Sequence, residues 1–154
     1  MIGQIDVKIK KEQQEKEVVK GLVRQARRVL VEARSHRFPM DLFPDTITVD
    51  EAKVTVITRR FFWSSEVHGV DLKDVTNVFI NTSPFFAQLV IVSKTFEENV
   101  IKISSMWMKD AVYVRRIIEG MRVMIHKEVD TAVYSRDELM AKLEELSVTD
   151  EAVD

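Results

Sequence analysis

The chain has 154 residues, 45% hydrophobic and 31% charged, a balance that supports one domain with a real core. It contains no cysteine, which excludes disulfides, zinc–thiolate centres and cysteine nucleophiles and makes a reducing cytoplasm the expected compartment. Its net charge of −2 is unevenly spread: residues 1–37 hold ten Lys or Arg against five Asp or Glu, residues 128–154 two against nine, and the middle is neutral, so the two ends carry the electrostatics.

Met1–Asp6 runs into charge rather than an apolar stretch, so no secretory leader is expected, and no apolar run approaches the roughly 18 residues of a membrane span. From Lys16 to Arg34 the pattern is helical, with Val19, Leu22, Ala26, Val29 and Ala33 spaced 3-4-3-4 and the cations mostly off that stripe. Phe38-Pro39 stops the helix, because the residue before proline is pushed out of the helical region.

After Pro44 the period falls to two. Short strands are expected at Thr46–Val49, Lys53–Phe62, Glu66–Val70, Val75–Thr82, Phe86–Ser93 and Val100–Ile103, separated by turn residues. In Val75–Thr82, Val75, Asn77 and Phe79 fall on one face and Thr76, Val78 and Ile80 on the other. Ser104-Ser105 offer an N-cap for a long helix from Met106 to about Lys127. Its core stripe is Trp107, Ala111, Val114, Ile118, Met121 and Ile125, broadened by Tyr113, Ile117 and Met124, with Trp107 as the buried anchor. Ser135-Arg136-Asp137-Glu138 is a capping box that opens a last short helix with Leu139, Leu143 and Leu146 on one face.

The run Phe43–Val56, the corner Val70–Val78 and the segment Phe85–Val92 resemble the small bacterial proteins with a pleckstrin-homology-like (PH-like) domain. The resemblance covers about residues 43–128. It implies a mainly β, α+β fold: two packed, nearly orthogonal antiparallel sheets forming a sandwich or partly open barrel, closed by a C-terminal helix. The expected organisation is a basic helical arm over 1–37, a PH-like domain over 38–130, and a short acidic helix with a loose tail over 131–154. Domains of this kind bind phosphoinositides, peptides or proteins. The lipid-binding version grips phosphates with basic residues in its first hairpin, whereas here that hairpin turns through Asp50-Glu51-Ala52, and carboxylates at a pocket mouth repel phosphate.

Catalytic patterns are missing. His36, His68 and His126 lie far apart, with no i, i+4 pair and no metal-ligand spacing. The glycines at 3, 21, 69 and 120 build no phosphate-cradling loop, and the serines sit at element boundaries. No enzyme activity, cofactor or metal site is therefore expected.

Three features are able to bind a partner. Arg59-Arg60-Phe61-Phe62-Trp63 joins two cations to three aromatics at a hairpin tip, and Phe85 marks a second aromatic turn. The basic arm presents Lys20, Arg24, Arg27 and Arg28, and its seam suits docking on its own domain, self-association, an anionic membrane surface or nucleic acid. The last helix is too short to stand alone and needs a surface. The expected function is a cytoplasmic adaptor that engages a protein or a second copy of itself, with no small-molecule substrate. The alternative is peripheral membrane attachment through residues 16–34.

Overall fold

The computed structural model describes residues 2–25, 28–36, 43–60, 64–94 and 100–151. The period-two segments are realised as two antiparallel sheets. The first is ordered β1 (Val29–Arg34), β2 (Thr46–Asp50), β3 (Lys53–Arg60) and β4 (Ser64–Asp71). The second is ordered β5 (Val75–Thr82), β6 (Ala87–Ser93) and β7 (Val100–Met106). A 3₁₀ turn over Leu72–Asp74 carries the chain from one sheet to the other. The sheets stay separate rather than merging into one closed barrel, and the architecture is the mainly β, two-sheet one expected. Among the described residues three α-helices accompany them: α1 (Ile2–Gln25), α2 (Met108–His126) and α3 (Arg136–Glu151).

Alternation decides which side chains meet. Ile47, Val49, Val54, Val56 and Val70 of the first sheet share one core with Val78, Leu89, Ile91 and Ile103 of the second. Helix α2 lies against both sheets and buries Ala111, Val114, Ile117, Ile118, Met121 and Met124. Tyr113 stays exposed, off the stripe. Burial of each of the larger aliphatics stabilises the domain by about 1.5–3 kcal/mol, which makes α2 the main closure of the sandwich. Helix α3 leans on α2 through Leu139 and Leu143, both fully buried, with Leu146 packed against the same core. Its capping box forms as expected: the Ser135 N–H donates to Glu138 at 2.8 Å and the Glu138 N–H to the Ser135 hydroxyl at 3.3 Å.

Four local expectations are corrected. Residues 29–34 form strand β1, paired with β2, and not the end of a helix, so the first sheet starts inside the segment assigned to the arm. Leu30, Val31 and Ala33 enter the core because a strand edge offers them a neighbour that a free helix lacks. Ser104 and Ser105 belong to β7, and Trp107 is the N-cap of α2, with an extended backbone and 44% exposure, not a buried anchor. A bulge between Val75 and Asn77 puts Val75 and Val78 together in the core and leaves Phe79 outside.

The first-hairpin carboxylates are also buried structural groups and not a pocket mouth. Asp50 accepts the N–H groups of Ala52 and Lys53 at 2.8 and 2.7 Å, closing the turn as an Asx-type cap, and Glu51 pairs with Arg28.

Candidate functional site

Helix α1 has 24 residues, about 36 Å at 1.5 Å per residue. Every side chain from Gly3 to Val19 is exposed, including Ile5 (58%), Ile9 (47%) and Val19 (57%). Its principal contact with the body is the 3₁₀ turn Thr131–Val133. Most helical stability in proteins comes from packing of an apolar face, and the apolar residues along α1 gain nothing until another surface covers them.

The body holds the chain just beyond this helix with a clasp of two guanidiniums. Arg28 forms an ion pair with Glu51, whose side chain is 3% exposed, and donates to the carbonyls of Tyr134 at 2.9 Å and Thr131 at 3.2 Å. Arg136 donates from the start of α3 to the carbonyls of Val29 at 3.1 Å and Leu30 at 2.9 Å. Two guanidiniums thus tie β1, the β2–β3 turn and the α2–α3 connection together. Planar, multi-donor groups suit this work better than an ammonium. Arg28, one of the candidate partner contacts, is thus engaged by Glu51 and by the Thr131 and Tyr134 carbonyls, with 24% of its side chain still exposed.

A second surface forms at one end of the sandwich. The Arg59 N–H donates to the Asp45 carboxylate at 3.3 Å, and the Ser35 hydroxyl accepts the Asp45 N–H at 2.9 Å. The next residue, His36, donates its N–H to the Ser105 carbonyl at 2.6 Å and stacks on Trp107 with centroids 5.6 Å apart. Phe86 packs on the same indole at 5.1 Å. Ser105 sits at φ 59°, an uncommon left-handed conformation for serine that redirects the chain from β7 into Trp107. Beside this cluster Phe85 projects from the β5–β6 turn at 80% exposure. Arg59 and Arg60 are exposed at the end of β3, and the pair of Arg60 with Glu66 at 3.7 Å is a weak surface contact. Phe61, Phe62, Trp63 and Arg27 lie outside the described residues. Lys20 and Arg24 lie on the last turns of α1.

An open groove of about 520 Å³ runs between the 3₁₀ turn, β5 and the end of α2. Two of its cations are already engaged: Lys73 with Asp71 at 3.8 Å, and Arg122 with Glu119 at 2.7 Å and with the Thr76 carbonyl at 2.8 Å. Among the described residues no three His, Asp or Glu side chains gather as a metal site. The exposed apolar residues of α1 that the sequence reading left out are Ile5 and Ile9, although Ile2, Ile5 and Ile9 already stand at 3-4 spacing.

No family model matches the chain, and no curated protein matches it. Among solved structures it is similar to the pleckstrin homology (PH) domain of USP37, with a TM-score of 0.42 and 13% identity over 60% of this chain and 96% of that one.

Proposed function

We propose that this chain is a non-enzymatic binding module in which the PH-like body presents α1 as an arm for a protein surface. One observation carries the reading: a long helix exposed from Gly3 to Val19 is joined to a body whose own core is closed and whose junction is clamped by Arg28 and Arg136. A helix needed only for folding would bury a face. Lys20 and Arg24 lie on the last turns of the arm, and Arg59, Arg60 and Phe85 supply a second contact face of the Arg and aromatic kind favoured at interfaces, with Arg27, Phe61, Phe62 and Trp63 kept as candidates from the sequence alone. We place the protein in the cytoplasm. No described helix is long and apolar enough to cross a membrane.

The membrane alternative rested on one amphipathic helix over residues 16–34. Its geometry is changed, because β1 occupies residues 29–34 and Arg28 is held by Glu51. The test is a photo-crosslinking side chain placed in living cells at Ile9, with exposed Val67 of β4 as the control. Protein adducts at Ile9 above those at Val67 support the arm. Adducts to lipid alone transfer the function to a membrane surface, and no adduct at Ile9 refutes the reading.

A further inference from the structure

From the exposed arm we infer that the partner of α1 is α1 of a second copy, packed antiparallel. This deepens the binding-arm reading above and rests on it. Across the helix the heptad core positions fall at Ile5, Ile9, Glu12, Lys16 and Val19, spaced 3-4 as 5, 9, 12, 16 and 19, all described and all exposed. The spacing of the sequence extends to Ile2 and Val23. The seam is therefore apolar at both ends and charged in its middle, with one carboxylate and one ammonium.

That middle selects the orientation. In a parallel pair Glu12 faces the partner's Glu12 and Lys16 the partner's Lys16, two like-charge layers. In an antiparallel pair crossing at Gln14, Glu12 faces the partner's Lys16 and Lys16 the partner's Glu12. Ile9 then meets the partner's Val19, and Val19 the partner's Ile9. The seam is self-complementary about a two-fold axis, as a closed homodimer interface must be. A polar layer inside an apolar seam is a recognised way to fix register and orientation at some cost in strength. The bodies also fit. With the crossing at Gln14, the two Gln25 ends lie about 33 Å apart along the axis at 1.5 Å per residue, so each body hangs at its own end of the pair.

Sedimentation equilibrium of the full chain tests this, on the parent, Lys16→Glu, Glu12→Lys and the double swap Glu12→Lys/Lys16→Glu. The parent is expected to dimerise at concentrations up to about 100 µM, since a short seam of this kind holds in the micromolar range. Each single reversal replaces two attractive layers with two repulsive ones, and is expected to raise the dimer dissociation constant at least about tenfold. The double swap restores the parent constant, and an equimolar mixture of the two single variants associates where each alone does not. A monomeric parent, or a double swap as weak as the singles, overturns the second-copy proposal. Singles as strong as the parent overturn the antiparallel seam. A monomeric parent that still gives protein adducts at Ile9 leaves the binding reading standing with a different partner, whereas the absence of such adducts removes the reading itself.

Discussion

Replacing Arg28 tests whether this cation belongs to the fold or to a partner surface. Arg28→Met keeps most of the side-chain volume but leaves the Glu51 carboxylate, 3% exposed, without its counter-charge. Breaking a buried pair from one side costs about 3–5 kcal/mol. Arg28 itself is 24% exposed, so water reaches part of the site and the lower end, about 3 kcal/mol, applies. The carbonyls of buried Thr131 and half-buried Tyr134 lose charged donors as well, which adds roughly 1 kcal/mol. The expected loss of about 4 kcal/mol is a large share of the roughly 5–15 kcal/mol that holds a domain together. In Arg28→Met/Glu51→Leu no charge is left buried alone, and the loss should shrink to about 1–2 kcal/mol. Urea unfolding of the four chains closes the cycle, and the coupling should persist in high salt because the carboxylate is shielded from counter-ions. A loss under about 1 kcal/mol for Arg28→Met, or a coupling that salt abolishes, would make the pair an ordinary surface contact and favour a partner-facing role for Arg28.

Three further outcomes follow from the packing. A Cβ at Gly120 would stand 2.8 Å from the Leu143 carbonyl oxygen, so Gly120→Ala should destabilise by about 1–2 kcal/mol, overpacking outweighing the roughly 1 kcal/mol of helix propensity gained; a higher melting midpoint would show that α3 moves away freely. Ile118→Ala, at a fully buried site, should cost about 2–5 kcal/mol, and Trp107→Ala, at a half-exposed N-cap, clearly less; the reverse order in thermal unfolding would restore Trp107 as the anchor. The Ser135 backbone N–H, and then its side chain, hold the exposed Glu138 carboxyl below its ordinary 4.5, so its stabilising contribution is complete above that value and is lost as pH falls through the lowered one. Glu138→Gln should flatten that part of the acid titration of stability; an unchanged profile would show that the capping box carries no pH dependence.

The sandwich was legible because β-branched alternation and turn residues mark β2, β5 and β6 within a residue or two, and because the stripe from Ala111 to Met121 has no other reading than a core-facing helix. The start of the sheet was not. Between Gln25 and Val29 no glycine or proline interrupts the chain, and Val19, Leu22, Ala26, Val29 and Ala33 satisfy a helical period while Leu30, Val31 and Ala33 satisfy an edge strand. Pairing with β2 decides between them, and only the folded chain supplies that partner. Trp107 misled for a related reason: its spacing of four to Ala111 fits the stripe, but the helix starts one residue later and the indole is left on the rim beside His36 and Phe86. The basic residues of the arm looked alike in sequence, and nothing in the spacing of Arg28 marks it as the partner of Glu51. Ile5 and Ile9 were overlooked because interleaved charges keep the first fifteen residues from forming a broad apolar face.

The decisive quantity is the source of the stability of α1. Amide hydrogen exchange of the full chain at low and high protein concentration measures this residue by residue, because protection reports the free energy of local opening. The sheets and α2 should show the same protection at both concentrations, while the amides of α1 exchange rapidly in dilute solution and become protected as the chain is concentrated. Protection of α1 that is high and independent of concentration would show that the helix docks on its own body, and the arm would then be part of the fold rather than a surface for a partner.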